Sequence, residues 1–273
     1  MNTLSEQRQT YTIEQVLEYM DCSLCYHLKY HEKRIPPAGD WSSSKNFIYK
    51  DCMKETITYY YTGHMEKNPP TLKQLYDKFY SRWLERTGGV EENSILTRKL
   101  ENARKDKRNE ISSYVTKGYE AIRSFYETNA SLKQAVLAVN HPYEIVFDNA
   151  IISGEFPIIR EVVVKNKRKI ELIDFSFSTR KPDESILQKN MSYSMMALAY
   201  RDVFQSDPDE FQVYFPARKE SISLYRTAND YKRLFSIIEA FLRSVNRIDP
   251  FPRPGGHLGF SPYKELCDNY QFN

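Results

Sequence analysis

Residues 151–177 contain the pattern that most restricts what this chain can fold into. Two runs rich in Val, Ile and Phe, at 151–164 and 169–177, have the length and composition of β-strands. The tip between them, residues 165–169, holds four cations in five residues, and a helical stretch opens near Asp183. The segment therefore predicts a β-hairpin that leads into a helix, which is typical of an α/β fold.

Helical patterns surround this hairpin. Thr12 and Gln15 form a capping box before apolar residues at helical spacing, which predicts a helix over 12–31. The order of elements predicts one α/β domain with a mixed central sheet of about five strands flanked by helices and a helical N-terminal part. Within it, 44–130 is a helical insertion and 140–250 contains the sheet. Further helices are predicted at 44–61, from 71, at 94–128, 183–204 and 228–245, and further strands at 143–148, 211–215 and 221–226.

Composition narrows the class of protein. With 273 residues, 41% of them apolar, the chain can bury a substantial core. Its net charge is only +3, so a nucleic-acid surface would have to come from local clusters of cations. No apolar run approaches the roughly 20 residues of a membrane-spanning helix, and the first ten residues lack a secretory signal pattern. We therefore expect a cytoplasmic protein with no membrane partner, whose four scattered cysteines are reduced thiols or metal ligands.

The hairpin also resembles the core of the PD-(D/E)XK nucleases of the RecB-like branch. These have a Gly-x-x-Asp strand, a second strand that ends in Asp-x-Lys, and a helix with Gln and Tyr. Gly154 and Asp174 fall on the family's glycine and second acidic residue. Pro157 stands in the position of the first metal-binding aspartate, and Ser176 in that of the lysine. The resemblance thus implies a restriction-endonuclease-like fold with a degenerate active site.

Two helices carry further parts of the resemblance. Gln188 and Tyr193 match the family's Gln and Tyr, which contact DNA or brace the active site, although Asn190 also suits the Gln position. A surface amide and a core tyrosine are the alternative interpretation. Asp51 falls where relatives present a histidine to the metal, and an oxygen ligand suits a hard cation. The alternative is a solvated aspartate.

Cysteines near both ends match a third part of the family pattern. In cluster-bearing relatives, one cysteine of the N-terminal helix and three near the C-terminus hold a [4Fe-4S] centre. Cys22 and Cys267 fall on such positions, but Tyr270 stands where a second C-terminal cysteine would be. Because a cluster normally needs four thiolates, we expect an empty remnant and iron-poor protein. Cys22-Ser-Leu-Cys25 alone is a weak zinc or redox motif, since no second ligand pair lies nearby.

The functional prediction depends on which catalytic residues of the family are present in this chain. In active relatives two carboxylates hold a divalent ion while the lysine polarises the nucleophile. Because only Asp174 remains, the sequence predicts a catalytically inactive nuclease-like protein that needs no cofactor and binds DNA within a larger complex. Stand-alone relatives in phages and mobile elements suggest a similar origin. The cations expected to contact phosphate are Arg104, Lys105, Lys107, Lys167, Arg168, Lys169, Arg180 and Lys181.

Two alternatives stay open at this point. One is an active DNA exonuclease that depends on Mg²⁺ or Mn²⁺, with its metal ligands migrated to other carboxylates and Lys181 as the cation. The other is a structural or adaptor protein that uses the nuclease fold as a scaffold for protein interactions. The migrated ligands of the first alternative would be Asp51, Glu155, Asp174 and Glu161.

Overall fold

The computed structural model describes residues 8–35, 45–88, 107–130, 132–148, 150–178, 183–246 and 263–270, with only the backbone of 107–113 and 264. The helices are α1 (Ile13–Asp21), α2 (Ser23–Tyr30), α3 (Lys45–Met65), α4 (Leu72–Thr87), α5 (Lys107–Ala130), α6 (Glu184–Lys189), α7 (Met191–Phe204), α8 (Ala228–Ser244) and α9 (Lys264–Asp268). The strands are β1 (Gln9–Thr12), β2 (Gln134–Phe147), β3 (Ala150–Val164), β4 (Lys167–Phe175), β5 (Glu210–Phe215) and β6 (Glu220–Ser223).

The strands form one mixed sheet of six in the order β1-β3-β4-β5-β6, with β2 paired to β3 as well. Strand β3 is long enough to pair with three other strands. Its first residues pair in parallel with β1 and its last residues pair with β4, while β2 runs antiparallel along its other edge. Strands β4 and β5 are parallel, and the chain between them forms α6 and α7, because parallel neighbours need a crossover connection. The predicted mixed α/β fold is therefore confirmed, with six strands rather than about five.

Helices cover both faces of the sheet. Leu172 and Ile173 are neighbours on β4 but enter different cores, because successive side chains of a strand point to opposite faces. The first core lies against α1, α7 and α8, and the second lies against α3, α4 and α5. The helices predicted as an insertion at 44–130 thus pack directly on the sheet. None of the described helices is both long and apolar enough to cross a membrane.

Local signals explain where most elements begin. Thr12 forms the predicted capping box with Gln15, and Thr71 forms a second one with Gln74. In both, the glutamine side chain accepts a hydrogen bond from the threonine amide. The predicted helix over 228–245 corresponds to α8. The predicted hairpin is formed by β3 and β4, and its turn residues Lys165 and Asn166 both have positive φ. These boundaries agree with the sequence predictions to within about two residues, which is the usual uncertainty of element ends.

Two helices predicted as continuous are each broken by a capping residue. Cys22 has an extended backbone between α1 and α2, and its sulfur accepts a hydrogen bond from the Cys25 amide. Asn190 separates α6 from α7 in the same way, and its side chain accepts from the amides of Ser192 and Tyr193. The predictions of single helices over 12–31 and 183–204 were wrong. The apolar periodicity continues across both breaks, so it gives no sign that a side chain ends one helix and caps the next.

The sheet also begins earlier than predicted. Strand β2 starts at Gln134 rather than 143, although it contains Asn140 with φ +45° and Pro142. A proline is tolerated there because β2 pairs only with β3 among the described strands and needs no amide donor on its outer edge. Strand β1 and helix α9 were not predicted at all. The predicted helix over 94–128 corresponds to α5 from Lys107, and 89–106 lie outside the described residues.

A buried ion pair joins the middle strands. Arg160 of β3 and Glu171 of β4 are directly paired across the hairpin, and the Arg160 Nε donates to the Glu171 Oε2 at 2.8 Å. The Arg160 Nη1 also donates to the Tyr61 hydroxyl at 3.1 Å and to the Asn129 Oδ1 at 2.7 Å. Gln134 of β2 accepts a further bond from this guanidinium at 3.0 Å. The network therefore connects β2, β3 and β4 with α3 and α5.

We predict that removing one partner of this ion pair destabilises the fold strongly. Glu171→Ala would leave a buried, unpaired guanidinium, which costs about 3–5 kcal/mol of unfolding free energy. The matched control is Glu220→Ala, which removes the half-exposed partner of Arg218 and should cost at most about 1 kcal/mol. Urea unfolding followed by circular dichroism measures both values. Equal losses in the two variants would contradict the prediction.

Candidate functional site

The carboxyl end of β4 opens into a cavity of about 260 Å³ between the sheet and α3, named here the α3–β4 cavity. Side chains from α3 form one wall, at spacings that place them on one side of a helix. The opposite wall comes from β2, β3 and β4 and the residues just after β4. The lining residues are Lys50, Asp51, Lys54, Ile57, Thr58, Asn140, Pro157, Ile158, Asp174, Phe175 and Phe177.

Strand register brings two of the predicted site residues together. Ile158 pairs with Ile173 at the end of the β3–β4 ladder, so one further step places Pro157 opposite Asp174. Pro157 has no amide hydrogen, which ends the ladder at that point. On its other side, the pairs of β2 with β3 set Asn140 opposite the same proline. The position matched to the family's first aspartate therefore lies in the cavity. It is occupied by a residue whose side chain has no oxygen.

Asp174 is the half-buried carboxylate of this cavity. Burial raises its pKa above the ordinary value, while a hydrogen bond from the Tyr193 hydroxyl and the positive charge of Lys54 partly oppose that rise. The pKa of Tyr193 is itself raised by burial and by the Asp174 carboxylate, so the phenol keeps its proton and remains a donor. Tyr193 thus contacts Asp174, and its role as a bracing residue of a nuclease-like site stays a prediction.

Two lysines of α3 supply positive charge to the cavity. Lys50 and Lys54 are exposed, one helical turn apart, and both line it. The Lys54 Nζ lies 3.2 Å from the Glu155 Oε1. Ser176, matched to the family's lysine, uses its backbone amide to donate to the Tyr214 carbonyl at 3.0 Å. Sequence reasoning did not select Lys50 and Lys54, although their i, i+4 spacing on a predicted helix was a visible signal.

The described residues fit a divalent metal ion poorly. Asp51 lines the cavity with Asp174, but its carboxylate is bound by the guanidinium of Arg86, which also binds Glu55. The side chain of Pro157 contributes no oxygen. Mg²⁺ is usually bound through one or two ionised carboxylates together with waters and substrate phosphates. Of the two carboxylates that line the cavity, Asp51 is already paired with Arg86, and burial raises the pKa of Asp174 and so favours its neutral form.

The other carboxylates proposed as migrated ligands do not complete this set. Glu161 lies opposite Ile170, four residues along β3 from Pro157, which is roughly 13 Å at about 3.3 Å per residue. Its carboxylate lies 3.7 Å from the guanidinium of Arg168 instead. Glu155 does not line the cavity, although its negative charge acts on Asp174, and its carboxylate is paired with Lys54. Lys181 lies outside the described residues.

Among the cations predicted to contact phosphate, the three at the start of β4 lie away from the α3–β4 cavity. Lys167, Arg168 and Lys169 begin β4, whereas Asp174 is near its end, roughly 20 Å further along the strand. Lys107 is the first residue of α5. The remaining predicted cations, Arg104, Lys105, Arg180 and Lys181, fall outside the described residues.

Gln188 has a structural role in the described fold. Its side chain donates to the Ser223 carbonyl at 3.0 Å and accepts from the Tyr225 amide at 3.0 Å and from the Arg226 Nη1 at 3.2 Å. These bonds attach α6 to the end of β6. Asn190, the alternative for the Gln position, caps α7. Of the matched Gln and Tyr positions, only Tyr193 contacts Asp174.

Gly154, matched to the family's glycine, is required by close packing. A Cβ at this position would lie 2.4 Å from the ring of Tyr143, its partner on β2. Tyr143 is buried and cannot move away readily. Gly154 therefore allows β2 and β3 to pack their side chains next to the strand segment that ends at Pro157.

The two predicted cysteine ligands also meet. The sulfurs of Cys22 and Cys267 lie 3.4 Å apart, and Cys25 brings a third sulfur, with all three within 4.8 Å of one another. Cys52, the fourth cysteine, is buried in the second core on α3. Four thiolates for a [4Fe-4S] cluster are therefore not assembled, because one of the four cysteines lies in another part of the fold.

No protein-family model matches this chain, and a search of curated proteins finds no match. Membership of the PD-(D/E)XK nucleases therefore stays a prediction from the quoted motifs.

We predict that Asp174→Asn stabilises the protein in a pH-dependent way. Because its pKa is raised, the Asp174 carboxyl binds its proton more tightly in the folded than in the unfolded chain. Its contribution to stability is therefore fully present below the ordinary pKa of 3.8 and is lost as the pH rises through the folded value. Asparagine does not ionise, so the variant should melt at a higher temperature than wild type at neutral pH.

Thermal unfolding at neutral pH and near pH 4 measures this difference, which should shrink at the lower pH. Asp51→Asn is the matched control, because it removes a carboxylate that is paired with Arg86 and should not raise the melting temperature. A stabilisation by Asp174→Asn that is the same at both pH values would contradict the assignment.

Proposed function

We propose that this protein binds DNA through the α3–β4 cavity without cleaving it effectively, as a catalytically inactive nuclease-like component of a larger nucleic-acid-processing complex. The observation that carries the proposal is the composition of the cavity. It combines the two lysines of α3 with a proline at the position where a hydrolytic site of this kind needs a carboxylate. The described residues of the cavity include side chains that attract phosphate, but they do not form a complete set of ligands for a catalytic metal.

The polar groups of the cavity suit a phosphate. Lys50 and Lys54 are exposed ammonium donors on one side of α3, and Thr58 and Asn140 add a hydroxyl and an amide. Phosphate contacts of this kind supply most of the affinity of proteins for nucleic acids without regard to sequence. The volume of about 260 Å³ is below that of most small-molecule sites, which favours one part of an extended ligand over a whole cofactor.

Aromatic side chains lie beside these cations. Phe175 and Phe177 both line the cavity, with parallel rings whose centroids are 6.5 Å apart. Unpaired bases stack on aromatic rings, at about 1–3 kcal/mol per base. An arrangement of lysines next to aromatic rings therefore favours a strand whose bases are accessible, such as single-stranded DNA or a frayed end.

The state of the cavity carboxylates is the reason we expect weak or absent cleavage. Metal-assisted hydrolysis needs ionised oxygen ligands that fix the ion next to the attacked phosphate. Burial raises the pKa of Asp174 and so favours its neutral form, and Asp51 is paired with Arg86. Pro157 replaces the remaining ligand.

One observation favours a second candidate, an active nuclease that depends on Mg²⁺ or Mn²⁺. Asp51 and Asp174 line the same cavity, and both are within the set proposed as migrated ligands. If a metal ion displaced Arg86 from Asp51, two carboxylates would be available. Incubation of wild type and Asp174→Ala with linear and single-stranded DNA and either metal separates the candidates. Cleavage that wild type performs and the variant does not would replace our proposal with this one.

We predict that the lysines of the cavity account for a measurable part of DNA affinity. Changing Lys50→Gln together with Lys54→Gln should weaken binding to single-stranded DNA at low salt. It should also reduce the slope of log affinity against log salt by about 1.4, because each lost phosphate contact lowers it by about 0.7. Fluorescence anisotropy across a salt series measures both quantities.

The matched control changes Lys232→Gln and Arg243→Gln, which are exposed on α8 at the other face of the sheet. That pair removes the same charge and should leave the slope nearly unchanged. A third pair, Lys167→Gln with Arg168→Gln, tests the hairpin tip predicted from sequence. Loss of binding in that pair alone would move the binding surface to the tip, and no binding by wild type at low salt would favour the scaffold alternative.

A further inference from the structure

Three buried sulfurs meet where α2 and α9 pack together. Cys22, Cys25 and Cys267 all belong to a small core formed with Leu24, Leu28 and Tyr263. Their sulfur atoms lie within 4.8 Å of one another, and none of the three forms a disulfide. The contact is between distant parts of the chain, since Cys22 and Cys267 are 245 residues apart.

The backbone between α1 and α2 favours negative charge on one of these sulfurs. Cys22 ends α1 and caps α2, and its sulfur accepts a hydrogen bond from the Cys25 amide at 3.4 Å. A turn of this kind, in which an amide points at a cysteine sulfur and the second cysteine follows three residues later, stabilises negative charge on that sulfur. Cys267 approaches the pair from α9.

From this geometry we propose that Cys22, Cys25 and Cys267 bind a single thiophilic metal ion, Zn²⁺ in the first instance. Zinc binds thiolates at about 2.3 Å in a tetrahedral arrangement, which places bound sulfurs about 3.8 Å apart. The observed separations, from 3.4 Å to at most 4.8 Å, bracket that value, so closure around the ion needs movements below about 1 Å. Water or an added thiol takes the fourth position.

This site differs from the cluster that the family resemblance implies. A [4Fe-4S] centre is normally held by four thiolates, and Cys52 is part of the second core on α3. Cys25, which the family pattern does not use, is the third ligand here. Three thiolates suit one ion better than a four-iron cluster.

The metal would have a structural role that does not depend on nucleic-acid binding. Helix α9 has only five residues, and besides the cysteine core the Tyr263 hydroxyl holds it by donating to the Arg34 carbonyl at 2.9 Å. Binding energy at a structural metal site contributes directly to folding. A zinc ion would therefore fix α9 on α2 and increase the resistance of the protein to heat.

The test measures metal directly. Wild type is purified without chelator, its zinc and iron content and acid-labile sulfide are determined, and the apoprotein is titrated with Zn²⁺ alone and with Co²⁺ alone. We expect one zinc per chain and, with Co²⁺, the absorption bands of thiolate-bound tetrahedral cobalt. Cys25→Ala should weaken Zn²⁺ binding by about 100-fold or more, because it removes one of three thiolates.

Cys52→Ala is the matched control, since it also removes a buried thiol, whose pKa burial raises to about 12. It should keep full zinc binding. A second measurement avoids reliance on variants that fold poorly: a zinc chelator should lower the melting temperature of wild type but not that of Cys25→Ala. Reduced protein that binds no Zn²⁺, a Cys22 to Cys267 disulfide in place of metal, or stoichiometric iron with sulfide would each overturn the proposal.

Discussion

The buried pair of Arg160 and Glu171 is the interaction on which the arrangement of the sheet depends. Both side chains are more than nine-tenths buried and lie directly opposite each other in the hairpin, so a shift of register by one residue would leave two unpaired charges inside the protein. The guanidinium also binds Tyr61 of α3 and Asn129 of α5. One residue thus sets how the strands pair and where the helices of the second core lie.

The chemistry of the α3–β4 cavity follows from this register. With Arg160 opposite Glu171, the same ladder places Pro157 opposite Asp174. The cavity then has one carboxylate from the sheet, and the positive charge opposite it comes from α3, through Lys50 and Lys54. Cations and hydrogen-bond donors next to a single sheet carboxylate are the basis of our proposal that the cavity holds a phosphate and does not activate water.

The sequence predicts the hairpin and most of the helices well, because β-branched runs, capping boxes and apolar periodicity are local signals. It does not reveal the breaks at Cys22 and Asn190, where a side chain caps a new helix while the apolar period continues. It also hides contacts between distant residues. Lys54 pairs with Glu155, which is 101 residues away in the sequence. A single sequence contains no local pattern for such pairs.

Helix α3 connects the buried network around Arg160 with the α3–β4 cavity. Tyr61, which binds Arg160, and Lys54, which lines the cavity, are seven residues apart on this helix, or roughly 10 Å at 1.5 Å per residue. The position of the cavity lysines is therefore set from the interior. Substitutions at buried network positions would move the cavity lysines without contacting them, so evolution could tune this surface through residues that never reach it.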